Sequence, residues 1–442
     1  MVATVDTALI SLWGKTLGAV SWLPDKQLAV FEYDSDFLRS GLEPSPIHMG
    51  VANIAGGDAI FSFAGLNRDT YKGLPGLLAD SLPDKFGNSI IDAWLARSGR
   101  HAASFSPLER LCYTGSRGMG ALEYQPALSG RNSDQSVPVE VAELVELAQA
   151  VTRERNQLQV ELALEDQQQN ADALLDILRV GTSAGGARPK AVIAINDQGQ
   201  VRSGQVEAPS DYGYWLLKFD GVDDLELGKP KGYGRIEYAY YQMAQTAGIY
   251  MAESRLLEEG GRAHFLTRRF DRQKLADGSV AKLHMQSLCG LAHFDFNMPG
   301  AYGYEQVFGV MRQLRLSRAD AEQQYRRMVF NILARNQDDH TKNIAFLMDH
   351  QGRWQLSPAF DLTYAHNPAG VWTSQHQMTV NGKRDHFTRE DLLTVGQSIS
   401  LPRPADTIDA VAEALSQWPK FARAAGVRPS VIKQIQQAHR QL

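Results

Sequence analysis

Apolar residues occur early in the chain as short runs and later as stripes at helical spacing. Ala8–Trp13, Leu17–Trp22 and Leu28–Tyr33 are apolar or β-branched runs. Gly14-Lys15 and Leu23-Pro24-Asp25-Lys26 separate them, turn chemistry that predicts a meander. Ser89–Ser98 places Ile90, Ile91, Trp94 and Leu95 on one stripe and predicts a helix. After Gly115-Ser-Arg-Gly-Met-Gly120 comes a strand-like Ala121–Tyr124; the glycines fit a tight turn better than an anion cradle, because no helix start follows them. Pro126–Pro138 is rich in Ser, Gly, Asn and Asp and reads as a linker, and Val139–Val180 is helix-forming. Within it, Arg153–Asn170 is very polar and is expected to lie exposed between two units.

The texture changes at Gly181. A small-residue loop, Gly181–Lys190, precedes an apolar strand at Ala191–Ile195, and Tyr212–Phe219 is a second strand with Lys218 near its end. Arg235–Ala247 is expected to be helical, and a strand pair flanks Glu258-Glu-Gly-Gly-Arg262. From about Gln273 the chain is expected to be mostly helical apart from one hairpin. The fold class is therefore α+β: a small mixed β-sheet lobe joined to a larger helical lobe, with a β-rich N-terminal subdomain. The expected organisation is 1–126 for that subdomain, 127–180 for a linker and helical connector, 181–272 for the sheet lobe and 273–442 for the helical lobe.

Composition narrows the classes. At roughly 150 residues per domain, 442 residues suggest about three units. A net charge of −5 argues against a surface that grips nucleic acid throughout. Two cysteines exclude a disulfide framework and fit a reducing compartment. No apolar stretch reaches the roughly 18 residues of a membrane span, and the acidic Met1-Val-Ala-Thr-Val-Asp6 is unlike a signal peptide. A cytoplasmic protein without a membrane contact is expected.

The chemistry concentrates after a helix at Arg318–Arg335, where Asn336-Gln-Asp-Asp-His-Thr-Lys-Asn343 interrupts an otherwise apolar stretch. Ile344–Met348 and Arg353–Leu356 form the hairpin, and Ser357-Pro-Ala-Phe-Asp361 ends its return. The hairpin would carry Asp361 back towards Asp338 and Asn343. Two carboxylates and an amide suit Mg²⁺ held through oxygens and substrate phosphates. Asp338 and Asn343 stand five residues apart, the offset of the catalytic-loop base and metal ligand of protein kinases. Upstream, Lys218 on a strand and Glu237 on the next helix fit the ion pair that orients phosphates.

Plainer readings stand beside these. Asp338-Asp339 could cap the hairpin, Lys218 could be an edge-strand gatekeeper, and Glu237 could be a solvated first-turn residue. His284 and His293 flank Cys289 at a spacing that matches no zinc pattern and read as structural. Gly181–Lys190 is not a Walker A loop.

Together these segments resemble the HipA family, the serine/threonine kinase toxins of bacterial type II toxin–antitoxin modules. Ser183-Ala-Gly-Gly-Ala-Arg-Pro-Lys190 resembles the family's phosphate loop, and Leu216-Leu-Lys-Phe219 its lysine strand. Thr267-Arg-Arg-Phe-Asp-Arg272 resembles the segment joining the lobes, and Asp338-Asp-His-Thr-Lys-Asn343 with Ser357-Pro-Ala-Phe-Asp361 the catalytic and metal motifs. The Ser11-Leu-Trp-Gly-Lys15 meander, Gly41-Leu-Glu-Pro-Ser-Pro46 and Leu82-Pro-Asp-Lys-Phe-Gly87 are similar to its N-terminal subdomain.

The resemblance implies a kinase-like fold, ATP, Mg²⁺ and transfer to a protein Ser or Thr. Asp338 would be the base, with His340 and Lys218 as further catalytic candidates, and Asn343 and Asp361 would hold metal. Ser183, Gly185, Gly186 and Lys190 would lie on the nucleotide phosphates with Lys218 and Glu237. Arg268, Arg269, Phe270 and Asp271 would flank the adenine, the first three through their backbone. Ser183 stands where the family autophosphorylates; a charge of about −1.5 to −2 there would repel nucleotide.

The family's targets include aminoacyl-tRNA synthetases. Its partner is a HipB helix-turn-helix antitoxin, through which operator DNA would chiefly be bound. The chain departs from the best-known members at Asp339, where they carry Gly, and at Arg188-Pro189, where they carry Gln-Glu. An idle scaffold acting through an antitoxin, a small-molecule kinase and a metal phosphohydrolase using Asp338, Asp339 and His340 are the competing readings.

Overall fold

The computed structural model describes residues 4–54, 59–97, 99–126, 128, 136–157, 189–221 and 232–442. The described chain falls into two compact units. One holds the chain to Pro44, Val51–Gly232 and Arg255–Met285; the other holds Ser45–Gly50, Tyr233–Ser254 and Gln286–Leu442.

The first unit contains two five-stranded sheets. Strands β1 (Thr7–Leu12), β2 (Lys15–Leu23) and β3 (Leu28–Tyr33) form the expected meander, closed by β4 (Ile60–Phe61) and β5 (Leu122–Gln125) in the order β4-β3-β2-β1-β5. The alternation that predicts these strands is visible in β1, where Ala8, Ile10 and Leu12 are buried and Thr7 and Leu9 are exposed. The second sheet has the order β7-β6-β8-β10-β9, from β6 (Lys190–Ile195), β7 (Val201–Ser203), β8 (Gly213–Lys218), β9 (Ser254–Glu259) and β10 (Arg262–Arg268).

Helices Lys85–Arg97 and Val141–Gln157 cover this sheet. Phe86, Ile90, Ile91 and Leu95 from one helix and Leu144, Val145 and Ala148 from the other share a core with Ile193, Ile195, Trp215, Leu217 and Leu266. The register sets Lys190 opposite Lys218 and Phe265 on the other side of Lys218.

In the second unit, helix Arg318–Leu333 is the organising element. Ser317 and Asp320 form a capping box at its start, and Tyr325, Met328, Val329, Phe330, Ile332 and Leu333 are buried along it. Helix Tyr233–Thr246 joins it through Tyr240, whose hydroxyl donates to Ala334 O at 2.7 Å and whose ring meets Phe330 and Trp418 edge-on. The hairpin strands are β14 (Ala345–Met348) and β15 (Trp354–Leu356), and β13 (His284–Ser287) extends them to a three-stranded sheet. Helices Arg389–Ser398, Pro404–Ser416, Trp418–Ala424 and Pro429–Ala438 complete the unit.

Two expectations need correction. The chain after Gln273 is not helical at once: β11 (Arg272–Lys274), β12 (Val280–Lys282) and β13 come first. These strands are only three or four residues long, and pairing rather than a period in the sequence defines them. The helix expected to run to Arg335 ends at Leu333, because Arg335 takes a left-handed conformation at φ 57° and turns the chain. The polar stretch expected to lie exposed, beyond its first residues, and most of the linker at 126–138 fall outside the described residues. No helix among the described residues is long and apolar enough to cross a membrane.

Candidate active site

The turn at Arg335 delivers Asn336–Asn343 as a loop pinned at nearly every residue. Arg335 Nε donates to Ala438 O at 2.8 Å. The Asn336 amide donates to Asn331 Oδ1 (2.9 Å) and to the backbone carbonyl of Asp361 (3.2 Å), which ties the start of the loop to the end of the hairpin return. Gln337 N and Ala365 N close a parallel bridge with the segment after Asp361. Thr341 Oγ1 donates to Phe294 O at 2.6 Å. The return thus brings the Asp361 backbone to Asn336, at the start of the loop. Asp361 itself is left-handed at φ 54°, a conformation that aspartate adopts more readily than most residues.

Asp338 and Asp339 point different ways. The Asp338 side chain is 43% exposed; its Oδ1 accepts from Trp372 Nε1 at 2.6 Å, with His340 Nε2 3.8 Å from the same oxygen. Its carbonyl accepts from Asn343 Nδ2 at 2.8 Å, so the base candidate and the metal candidate share one short loop. Using its nitrogen this way, the Asn343 amide keeps its oxygen for another partner.

Asp339, by contrast, is buried. It accepts from Tyr304 Oη (3.0 Å), His376 Nδ1 (2.9 Å) and the backbone N–H of Gln377 (2.8 Å). Arg440 approaches His376 Nε2 at 2.8 Å. Since a guanidinium only donates, that nitrogen is the acceptor and Nδ1 carries the proton towards Asp339. Burial and the adjacent Asp339 charge push the Tyr304 hydroxyl well above its ordinary value, which keeps it a donor.

Asp339 therefore anchors the loop from inside and puts no charge at the exposed rim. This counts against a phosphohydrolase using Asp338, Asp339 and His340 together. Among the described residues no group of three or more His, Cys, Asp or Glu is placed to hold a metal ion. Asn343 and Asp361 offer oxygen donors only. Such a set suits Mg²⁺ that completes its shell from phosphates and water.

Glu237 is buried in the second turn of helix Tyr233–Thr246, so it is not a solvated first-turn residue. In the first unit, Lys218 ends β8 between Lys190 and Phe265, with its ammonium 5.8 Å from the Phe265 ring centre, inside the sheet rather than at an edge. Lys190 is buried with its Nζ 3.6 Å from Asp84, the carboxylate that also accepts from Gly87 N at the start of helix Lys85–Arg97. Ser183, Gly185 and Gly186 lie outside the described residues.

The segment at Arg268–Arg272 has a structural side. Arg269 donates its backbone N–H to Tyr214 O, while its side chain and that of Arg272 converge on Asp271 at 2.7 Å. Both guanidiniums also donate to Gly118 O at 3.1 Å, and Gly120 N donates to Asp271 at 2.7 Å. The glycine turn at 115–120 does hold an anion, namely a carboxylate of this chain. Burial raises the Asp271 carboxyl, but Arg269, Arg272 and the Gly120 N–H outweigh it and hold the group well below the usual carboxylate range. Burial pulls Arg272 down to about 10.

His284 and His293 serve the fold. His284 is buried, 2.8 Å from Pro44 O, and His293 stacks on His48 with ring centres 4.2 Å apart.

Trp372, His376, Gln377, Tyr304 and Arg440 carry no signal in the sequence; contacts 34 to 64 residues apart along the chain define their roles. The paired acids of the loop are the one hint that the second must be neutralised somewhere.

Comparison with known proteins bears on the family and the fold. A structure of the Shewanella oneidensis HipA, HipB and operator DNA complex superposes with a TM-score of 0.66 at 16% identity, covering 97% of this chain and 95% of that one. At that identity the likeness concerns the fold, which is the kinase-like one expected. Y4mE of Sinorhizobium fredii, provisionally named a kinase, is 26% identical over 126 residues; the match spans 27% of this chain and only 30% of that protein. The Helicobacter pylori proinflammatory kinase CtkA aligns at 12% identity with a TM-score of 0.33 over 51% of this chain and 88% of that one, too low to bear on the fold. The HipA N-terminal domain matches residues 8–125 and the HipA-like C-terminal domain residues 182–440, the latter holding both the lysine strand and the acidic loop; the chain belongs to the HipA family.

Proposed function

We propose that the chain is an ATP-dependent serine/threonine-protein kinase, the toxin of a toxin–antitoxin module, restrained by autophosphorylation at Ser183. The observation that carries this reading is the division of labour at Asp338-Asp339. The first carboxylate is exposed on a loop closed by Asn343, and the second is spent inside as that loop's anchor.

Phosphoryl transfer asks for placement and charge neutralisation more than for covalent participation. ATP with Mg²⁺ would supply the phosphoryl group and the charge that offsets its oxygens. Asp338 accepts the proton of the acceptor hydroxyl, Asn343 and Asp361 hold the metal, and Lys218 with Lys190 offers positive charge to the phosphates. The backbone at Arg268–Phe270 flanks the adenine, Glu237 serves the nucleotide phosphates, and His340 is a further catalytic candidate beside Asp338. A HipB-like helix-turn-helix protein is the proposed partner, with operator DNA reached mainly through it, as in the Shewanella assembly named HipA, HipB and operator DNA.

Incubation with labelled ATP and Mg²⁺ in a host lysate, followed by phosphosite mapping, tests the reading. Label is expected on Ser183 and on a protein Ser or Thr. Asp338→Asn is expected to abolish both while ATP still binds by equilibrium dialysis. Wild-type labelling by Asp338→Asn would remove the base from the proposal, and no labelling by the intact chain would remove the kinase reading.

A further inference from the structure

Trp372 stands on the segment 371–377, whose exposed Val371 marks a surface loop. That loop is nonetheless tied down. The Gln377 side-chain amide donates to the carbonyls of Trp372 and Gln337, the latter at 3.2 Å, while the Gln377 backbone N–H holds Asp339. The result is that one indole N–H, 2.6 Å from Asp338 Oδ1, is fixed by the same residue that fixes the acidic loop. An indole nitrogen donates and never accepts, and a bond this short to a carboxylate is of the charge-assisted kind. His340 Nε2 lies 3.8 Å from the same oxygen, beyond hydrogen-bond range.

We propose that Trp372 is a positioning residue for Asp338. By occupying Oδ1 it stops the carboxylate from turning about its own axis and leaves Oδ2 as the oxygen that meets the acceptor hydroxyl. This deepens the kinase reading and rests on it. In the step concerned, the acceptor O–H bond breaks and its proton passes to Oδ2. The acceptor oxygen forms its bond to the γ-phosphorus as the bond from that phosphorus to the ADP oxygen breaks. Trp372 neither gives nor takes a proton. Its effect is geometric, and a misplacement of about 1 Å at a reacting group can cost on the order of 100-fold in rate.

The contrary assignment is a gate, an indole that covers the base and must leave before the hydroxyl arrives.

Two measurements on the full chain decide. In the first, tryptophan is labelled with ¹⁵N, and the indole N–H resonance missing from Trp372→Phe is identified among those of the seven tryptophans. In Asp338→Asn that resonance is expected to move upfield by more than the other six, since its acceptor has lost its charge. A resonance unmoved by Asp338→Asn would overturn the contact, and with it the proposal, whether or not the protein transfers phosphate. In the second, phosphoryl transfer by Trp372→Phe is expected to fall about 10- to 100-fold in kcat with KM for ATP unchanged, and Trp372→His, which keeps a ring N–H, to recover part of the loss. A kcat at or above that of the wild type in Trp372→Phe would overturn positioning in favour of gating. Absence of transfer by the unmutated chain would strike the kinase reading alone, since the resonance shift is read without turnover.

Discussion

Asp338 and Asp339 are neighbours with the same side chain and opposite assignments, and the difference lies entirely in what faces them. Asp339 gathers a tyrosine hydroxyl, a histidine N–H and a backbone N–H, all buried. Asp339→Ala would leave those donors without an acceptor in a dry site, and should cost about 3–5 kcal/mol of stability by urea unfolding. Asp339→Asn, which keeps one acceptor oxygen, should cost less. At this scale the sequence was informative about chemistry and silent about orientation. The offset between Asp338 and Asn343 was legible because both lie on one loop, and their link is a single 2.8 Å bond. The burial of Asp339 was not, since Tyr304 and His376 lie 35 and 37 residues away and no local pattern couples them.

Among the elements, helix Arg318–Leu333 does most to set the site, for its last turn and the reversal at Arg335 aim the loop. Its stripe of Tyr325, Met328, Val329, Ile332 and Leu333 was readable from spacing alone. Its end was not, because a left-handed arginine depends on the Ala438 carbonyl that receives its side chain. The start is held by Ser317, whose hydroxyl accepts from Asp320 N at 3.2 Å, while Asp320 Oδ1 also receives Leu356 N from β15. Ser317→Ala should lower stability by about 1 kcal/mol in thermal or urea melts. Ser317→Thr, which keeps the hydroxyl that accepts from Asp320 N and donates to the Asp320 carboxylate, should restore most of it. The short strands β11–β13 were missed for the opposite reason: they exist through their partners, and too few residues alternate in them to give a signal.

In the whole molecule the two compact units interleave along the chain, since Ser45–Gly50 and Tyr233–Ser254 both join the later unit. No hydrophobic pattern announces such exchanges, and helix Tyr233–Thr246 comes before β9 and β10 in the chain. Acid sensitivity also belongs to this scale. Burial lowers His284 from an ordinary 6.5 to about 4. The folded state therefore favours the neutral ring. The contribution is complete above pH 6.5 and is lost as pH falls from there towards 4, at about 1.4 kcal/mol per unit for one such group. Melting temperature should decline across that window, and His284→Gln should flatten the decline. A slope unchanged by His284→Gln would assign the acid loss to other groups.

The ion cluster around Asp271 has a consequence for dissecting the gene. It rivets the turn at Gly118–Gly120, inside the region matched by one family domain, to a strand end inside the region matched by the other. A fragment that starts at residue 182 strips two arginines and an aspartate of the carbonyl and amide groups that complete their shell. The divide between the two recognised modules is thus a poor place to cut, because the first 125 residues brace the strand end at Arg269–Arg272.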